Sequence, residues 1–113
     1  SSPANRPRVG ILISGRGSNM VSLVETARQP GYPAEIALVL SNVPDAPGLD
    51  RASGFGIATA TVDHRTFGKD REAFERAMDE VLRAHQIDLV VLAGFMRIMT
   101  AWFVKRWEGR MIN

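Results

Sequence analysis

The chain has 113 residues, enough for one domain with a hydrophobic core, and its formal net charge is only +2. Its 14 Lys and Arg residues form no basic run, so the charge gives no support for nucleic-acid binding. There is no cysteine, which excludes disulfides and thiolate metal sites and suits a cytoplasmic protein. No apolar run approaches the roughly 18 residues of a membrane span, so we expect no membrane partner.

Strands and helices are predicted to alternate along the chain after a polar start. Residues 1–8, SSPANRPR, are predicted to be a flexible extension, which leaves 9–113 as the domain. Continuous apolar runs predict buried strands at 8–13, 35–40, 57–62 and 87–93, with a fifth strand beginning at 111. Helical periodicity and capping signals predict helices over about 18–28, from 48 to about 53, and over 70–86 and 100–107.

Strands that are apolar on both faces and alternate with helices indicate an α/β fold, a Rossmann-like doubly wound and mostly parallel sheet. Ligands bind such sheets beyond the carboxyl ends of the strands. A site is therefore expected to combine the segments that follow the five strands, namely 14–19, 41–45, 63–65, 94–99 and 113.

Two glycines directly after the first strand, Gly15 and Gly17, first suggest a dinucleotide-binding turn. The fingerprint GxGxxG would need a third glycine where Met20 stands, and the second strand ends in SN rather than in an acidic residue. No Walker A sequence occurs either. The dinucleotide and nucleoside-triphosphate classes are therefore disfavoured.

The remaining interpretation of the turn is a phosphate cradle. Gly15 and Gly17 can adopt positive φ, and the amides of Gly17, Ser18 and Asn19 would lie unpaired at the first turn of a helix. The structural alternative is a plain glycine turn in which Ser18 caps the helix. The turn alone does not separate the two.

Five segments together resemble the phosphoribosylglycinamide formyltransferase family of purine synthesis. They are ISGRGSN at 13–19, LSN at 40–42, GLDRA at 48–52, VVLAGFMRIM at 90–99 and GRMIN at 109–113. The resemblance covers 9–113, and its SGxGSN and LAGFMRI motifs are specific. It implies an enzyme that moves the formyl group of 10-formyltetrahydrofolate, its co-substrate, to the amine of glycinamide ribonucleotide without a metal.

Carried over position by position, the resemblance implies that Gly17, Ser18 and Asn19 bind the phosphate of the ribonucleotide. It implies a catalytic role for Asn113, whose amide would donate to the tetrahedral oxyanion. Contacts with the folate are implied for the positions Arg71, Met96, Arg97, Ile98, Met99 and Asn113.

The residues taken singly leave structural alternatives open. Arg71 could form a surface ion pair with Glu75, and Arg97 could simply cover the end of the sheet. The apolar side chains at 96, 98 and 99 would by themselves be core. His64 is predicted to be solvated in a loop and His85 to favour a helix end, so neither is expected to be catalytic.

The resemblance also implies parts that this sequence lacks. In the family the asparagine is followed by Ile-His-Pro-Ser, whose histidine carries the proton, and a later aspartate orients that histidine. The expectation is therefore the N-terminal half of such an enzyme, a chain inactive by itself. The alternative is a non-catalytic Rossmann-like module that binds a phosphorylated small molecule; another folate formyltransferase or deformylase is disfavoured by the SGxGSN turn.

The last thirteen residues are rich in large apolar side chains. A small sheet is not expected to bury them all, so an exposed apolar face is predicted near the C-terminus. The missing half or another chain is expected to cover that face. Its predicted members are Trp102, Phe103, Val104, Trp107, Met111 and Ile112.

Overall fold

The computed structural model describes residues 6–113, which form one five-stranded sheet in the order β3-β2-β1-β4-β5. All four strand pairs are parallel, so the predicted α/β fold with a parallel sheet is confirmed. The strands are β1 (Arg8–Ile13), β2 (Glu35–Ser41), β3 (Ala58–Thr61), β4 (Leu89–Leu92) and β5 (Met111–Ile112).

Four α-helices and one 3-10 turn connect the strands. The helices are α1 (Ser18–Ala27), α2 (Pro47–Gly54), α3 (Arg71–Ala84) and α4 (Ala101–Arg106). Asp70 caps α3 as predicted, since its Oδ1 accepts a hydrogen bond from Ala73 N at 3.1 Å. The 3-10 turn at His64–Phe67 was not predicted. No helix in the part of the chain that the structure describes is long and apolar enough to cross a membrane.

Alternate residues of the central strands supply two hydrophobic cores, one on each face of the sheet. On one face, Leu12 packs in a core with the apolar side of α3, with Phe103 of α4 and with Trp107, which directly follows α4. On the other face, Ile11 and Ile13 pack with buried side chains of α1 and α2. This two-sided burial explains why β1, β2 and β4 are apolar at nearly every position, whereas the edge strand β3, ATAT, is mostly exposed.

The start of the described chain is held against the sheet. Arg8 is the first residue of β1 and pairs with Glu35, and its backbone N donates to Asp88 Oδ2 at 2.8 Å. Arg6 Nη2 donates to Ala34 O at 2.7 Å. Residues 6–8 are therefore not part of a free extension, while residues 1–5 of the predicted extension lie outside the described residues.

The apolar residues near the C-terminus are divided between core and surface. Phe103 and Trp107 are buried, because α4 lays both against α3, so they do not belong to the predicted exposed face. Ile112 is 54% exposed and Val104 is 47% exposed, as that prediction requires. Met96 and Ile98 are more exposed still, at 79% and 80%.

Candidate functional site

The strand order brings three sequence-predicted segments to one edge of the sheet. β1 lies between β2 and β4, and β5 flanks β4. Because all strands are parallel, their carboxyl ends share one edge. Residues 14–19 after β1, residues 94–99 after β4 and Asn113 after β5 therefore follow neighbouring strands.

The turn after β1, residues 15–19 and here called the cradle, leads directly into α1. Gly17 has φ 75°, a left-handed conformation that favours glycine, and it forms the N-cap of the helix. Gly15 does not have the positive φ considered for it, and Ser18 makes no capping bond, so the alternative of a turn capped by Ser18 is wrong. Within residues 6–113, the backbone N–H groups of Gly17, Ser18 and Asn19 have no acceptor.

The first turn of α2 packs closely against the start of the cradle. Gly48 N donates to Gly15 O at 3.0 Å. A Cβ atom at Gly48 would lie 2.5 Å from Ile13 Cδ1 and 3.0 Å from Gly15 O. The glycine of the GLDRA motif is therefore explained by a close approach of two backbone segments, which leaves no room for a side chain.

The segment after β4, residues 96–99 and here called the 96–99 loop, separates two clefts. The outer cleft, about 440 Å³, is lined by Gly68, Lys69, Arg71, Met96, Arg97 and Ile98. The inner cleft, about 400 Å³, also contains Arg97 and Ile98, together with Leu92, Phe95, Met99, Val104, Met111 and Asn113. The structure thus brings all the residues implied to contact folate around one loop. Neither cleft is lined by the cradle.

Arg71 joins α3 to the 96–99 loop. Its Nη2 donates to Ile98 O at 2.5 Å, so the alternative of an ion pair with Glu75 is wrong. Among residues 6–113, no carboxylate forms a salt bridge with Lys69, Arg71 or Arg97. Uncompensated cations around the clefts favour an anionic ligand.

A hydrogen-bond network links the cradle end of β1 to the 96–99 loop and to β2. Ser14 Oγ accepts from Met96 N at 2.8 Å and donates to Asn42 Oδ1 at 2.5 Å. His64 Nδ1 lies 3.0 Å from Asn42 Nδ2 and 3.2 Å from Asn42 O, so the tautomer decides whether it accepts or donates. The prediction that His64 is solvated was wrong, since the ring also meets the Phe74 ring edge-on.

Sequence reasoning missed the roles of Ser14 and Asn42 in this network. Asn42 is 2% exposed, and a buried amide needs partners. The sequence signals were the position of both residues directly after buried strands and their place in the ISGRGSN and LSN motifs, neither of which shows that the two side chains meet. Beside them, Arg65 donates hydrogen bonds to Asp63 and holds the pKa of that carboxyl below its usual value.

Replacing Ser14 by alanine is expected to loosen the 96–99 loop. The variant loses the acceptor of Met96 N and the donor to Asn42, and the free energy of unfolding should fall by about 1 kcal/mol. Denaturant unfolding and amide hydrogen exchange at Met96 measure the two effects. Ser53→Ala, at an exposed position of α2, is the control. An unchanged hydrogen-exchange rate of the Met96 amide would contradict the hydrogen bond from Met96 N to Ser14 Oγ.

Comparison with known proteins gives a consistent result. The sequence model of the family described as formyl transferase matches residues 7–113. The phosphoribosylglycinamide formyltransferase of Escherichia coli is 40% identical over 103 residues, which are 91% of this chain and 48% of that protein. The trifunctional purine biosynthetic protein adenosine-3 of Bos taurus is 45% identical over 108 residues, 96% of this chain but 11% of that protein.

Solved structures agree with the sequence comparison. The crystal structure of phosphoribosylglycinamide formyltransferase from Brucella melitensis superposes with a TM-score of 0.89 at 42% identity, over 95% of this chain and 55% of that one. The enzyme from Coxiella burnetii, in complex with CHES, gives a TM-score of 0.85 at 37% identity, over 95% and 50%. The chain therefore spans about half the length of its bacterial relatives.

Proposed function

Because the chain belongs to the formyl transferase family, we propose that it forms the phosphate-binding half of a phosphoribosylglycinamide formyltransferase. Such an enzyme transfers the formyl group of 10-formyltetrahydrofolate to the amine of glycinamide ribonucleotide in purine biosynthesis. The observation that carries the proposal is the set of three N–H groups, at Gly17, Ser18 and Asn19, that have no acceptor within residues 6–113. The cytoplasmic location expected from the sequence stays a prediction.

The cradle is proposed to bind the phosphate of glycinamide ribonucleotide. Unpaired N–H groups at a helix N-terminus attract an anion, and the helix dipole adds about half a positive charge there. Ser18 and Asn19 are exposed, so the hydroxyl and the amide can add donors to the phosphate oxygens. Gly17 gives the backbone its left-handed turn without a steric penalty.

The 96–99 loop is proposed to bind 10-formyltetrahydrofolate between the two clefts. Arg71 and Arg97 are suited to the carboxylates of the co-substrate, because neither has an acidic partner within residues 6–113. Met96, Ile98 and Met99 supply apolar and adaptable surface for the flat pterin ring. The exposure of Met96 and Ile98 fits side chains that are to be covered by a ligand rather than by protein.

Asn113 is proposed to stabilise the transition state. The amine nitrogen bonds to the formyl carbon, and the carbonyl oxygen becomes an oxyanion that the Asn113 amide can meet as a donor. The bond from the formyl carbon to N10 of the folate then breaks, and N10 gains a proton as the amine loses one. By the family resemblance, the proton carrier is the histidine that follows the asparagine in relatives.

The rest of a family enzyme is proposed to cover the edge of the sheet at β5. The chain spans about half of its bacterial relatives, and Val104 and Ile112 lie exposed beside Asn113 in or next to the inner cleft. We therefore expect the 113-residue chain alone to show no formyl transfer. A full-length family enzyme carrying this chain should show it.

The proposed phosphate site is tested by titrating the isotope-labelled chain with glycinamide ribonucleotide and following its amide signals by NMR. We expect saturable shifts centred on Gly17, Ser18 and Asn19. Glycinamide riboside, which lacks the phosphate, is the matched control and should leave these signals in place. Equal shifts with both compounds, or no shift in a folded sample, would contradict a phosphate cradle.

The second candidate function is a non-catalytic module that binds a phosphorylated small molecule. It makes a different prediction for the 96–99 loop and Asn113. It predicts shifts in the cradle but none in the 96–99 loop or at Asn113 when 10-formylfolate is added. The enzyme half predicts that 10-formylfolate shifts these signals. The cluster of folate-implied residues around the two clefts favours the enzyme half.

A further inference from the structure

We propose that Glu75, a buried residue of α3, is a positioning residue that holds the 96–99 loop in its folate-binding shape. The proposal rests on the proposed function of that loop. Glu75 lines neither cleft and has no role implied by the family resemblance. It acts through Thr100, the residue that directly follows the loop.

The carboxylate of Glu75 is in an unusual environment. The residue is 1% exposed, and within residues 6–113 it has no salt bridge. A buried charge is costly unless hydrogen bonds compensate it. Both compensating bonds come from Thr100: its backbone N donates to Oε2 at 2.6 Å, and its hydroxyl donates to Oε1. Bonds to a charged acceptor are strong, so the position of Thr100 is closely fixed.

Thr100 is one of three points at which side chains from elsewhere hold the loop. Ser14 accepts from Met96 N at the start of the loop, and Arg71 donates to Ile98 O near its middle. Residues 96–99 have no helix or strand of their own. Glu75 is the only buried member of the three anchors, since Arg71 is exposed and Ser14 is partly exposed. It is therefore the anchor that is best shielded from competition by water.

A second buried carboxylate on the same helix provides a matched control. Asp79 lies one turn after Glu75 and is 3% exposed. Its Oδ1 accepts from Trp107 Nε1 at 3.0 Å, and Arg83 and Arg106 form ion pairs with it. Asp79 thus holds the C-terminal end of α4, which is the end farther from the 96–99 loop in the chain. Any effect of merely disturbing the α3–α4 contact should appear at both positions.

The test compares Glu75→Met, Glu75→Gln and Asp79→Asn in the 113-residue chain. Met fills the space but accepts no hydrogen bond, whereas Gln can accept from Thr100 N and donate to its hydroxyl. We expect Glu75→Met to shift the amide signals of residues 96–100 and to weaken 10-formylfolate binding about tenfold, a loss typical of a buried charged hydrogen bond. Glu75→Gln should restore binding to within about threefold, and Asp79→Asn should leave it unchanged.

These experiments distinguish a failure of the positioning role of Glu75 from a failure of the proposed function. If the parent chain does not bind 10-formylfolate, the proposed function fails for the loop, but the amide shifts and exchange rates of 96–100 still test the positioning. Unchanged loop signals in a folded Glu75→Met variant, or equal loss of binding in Asp79→Asn, would overturn the proposal. If Glu75→Met does not fold, Thr100→Val removes the hydroxyl bond alone and must still shift the loop signals.

Discussion

Replacing Gly48 by alanine is expected to abolish phosphate binding at the cradle, although Gly48 does not belong to the cradle. The new Cβ would lie 2.5 Å from Ile13 Cδ1, closer than Cβ atoms are found to other atoms, and 3.0 Å from Gly15 O, which is also a tight contact. Ile13 is fully buried and has little room to move away, and Gly15 O and Arg16 O lie 3.0 and 3.2 Å from the new Cβ, so we expect the cradle backbone to shift. Overpacking of this kind lowers the free energy of unfolding by about 1–3 kcal/mol.

The measurement is the affinity for glycinamide ribonucleotide, together with the unfolding midpoint in urea. Gly54→Ala is the matched control in the same helix, because no atom lies within 4 Å of its added Cβ. That control should leave the affinity unchanged and raise the free energy of unfolding by about 0.4–1 kcal/mol. If Gly48→Ala bound glycinamide ribonucleotide as tightly as the parent chain does, the cradle would not need the close contact with α2.

Asn113→Ala is expected to lower kcat by about 10²–10³ in a full-length family enzyme carrying this chain, because it removes a donor from the oxyanion. The KM for glycinamide ribonucleotide should change little, since the cradle follows β1 and Asn113 follows β5. Steady-state kinetics on both substrates separates the two constants.

Ile112→Ala, at the neighbouring position of β5 that the rest of the enzyme is proposed to cover, is the control for damage to the sheet edge. It should keep kcat within about threefold of the parent, because Ile112 has no proposed contact with the reacting atoms. If the kcat of Asn113→Ala were as high as that of Ile112→Ala, the proposal that Asn113 stabilises the transition state would be contradicted.

Most of the fold could be predicted because its signals are local. The strand β1 is an unbroken apolar run, and α3 repeats its apolar residues with helical spacing after the cap at Asp70. The parallel sheet then follows from the alternation of strands and helices. The same rule placed the candidate site at the carboxyl edge, because it needs only the ends of the strands.

The missed features depend on contacts between residues far apart in the sequence. Thr100 lies 25 positions after Glu75, and Ser14 lies 82 positions before Met96. Nothing in the local pattern at Glu75 separates a buried carboxylate from a solvated one on an amphipathic helix. Trp107 was expected at the surface for the same reason, since its polar partner Asp79 is on another helix.

Because β1 is paired with β4 as well as with β2, we expect the centre of the sheet to close late during folding. Val9 pairs with Leu89, so 80 residues (89 − 9) separate the two partners in the chain. Loop closure over such a sequence separation costs chain entropy before the contact forms, and strand pairing between distant residues is associated with slower folding. During synthesis, β1 can therefore pair with both of its neighbours only after β4 has emerged from the ribosome. We therefore expect the cradle and the 96–99 loop, which follow these two strands, to take their final shape together.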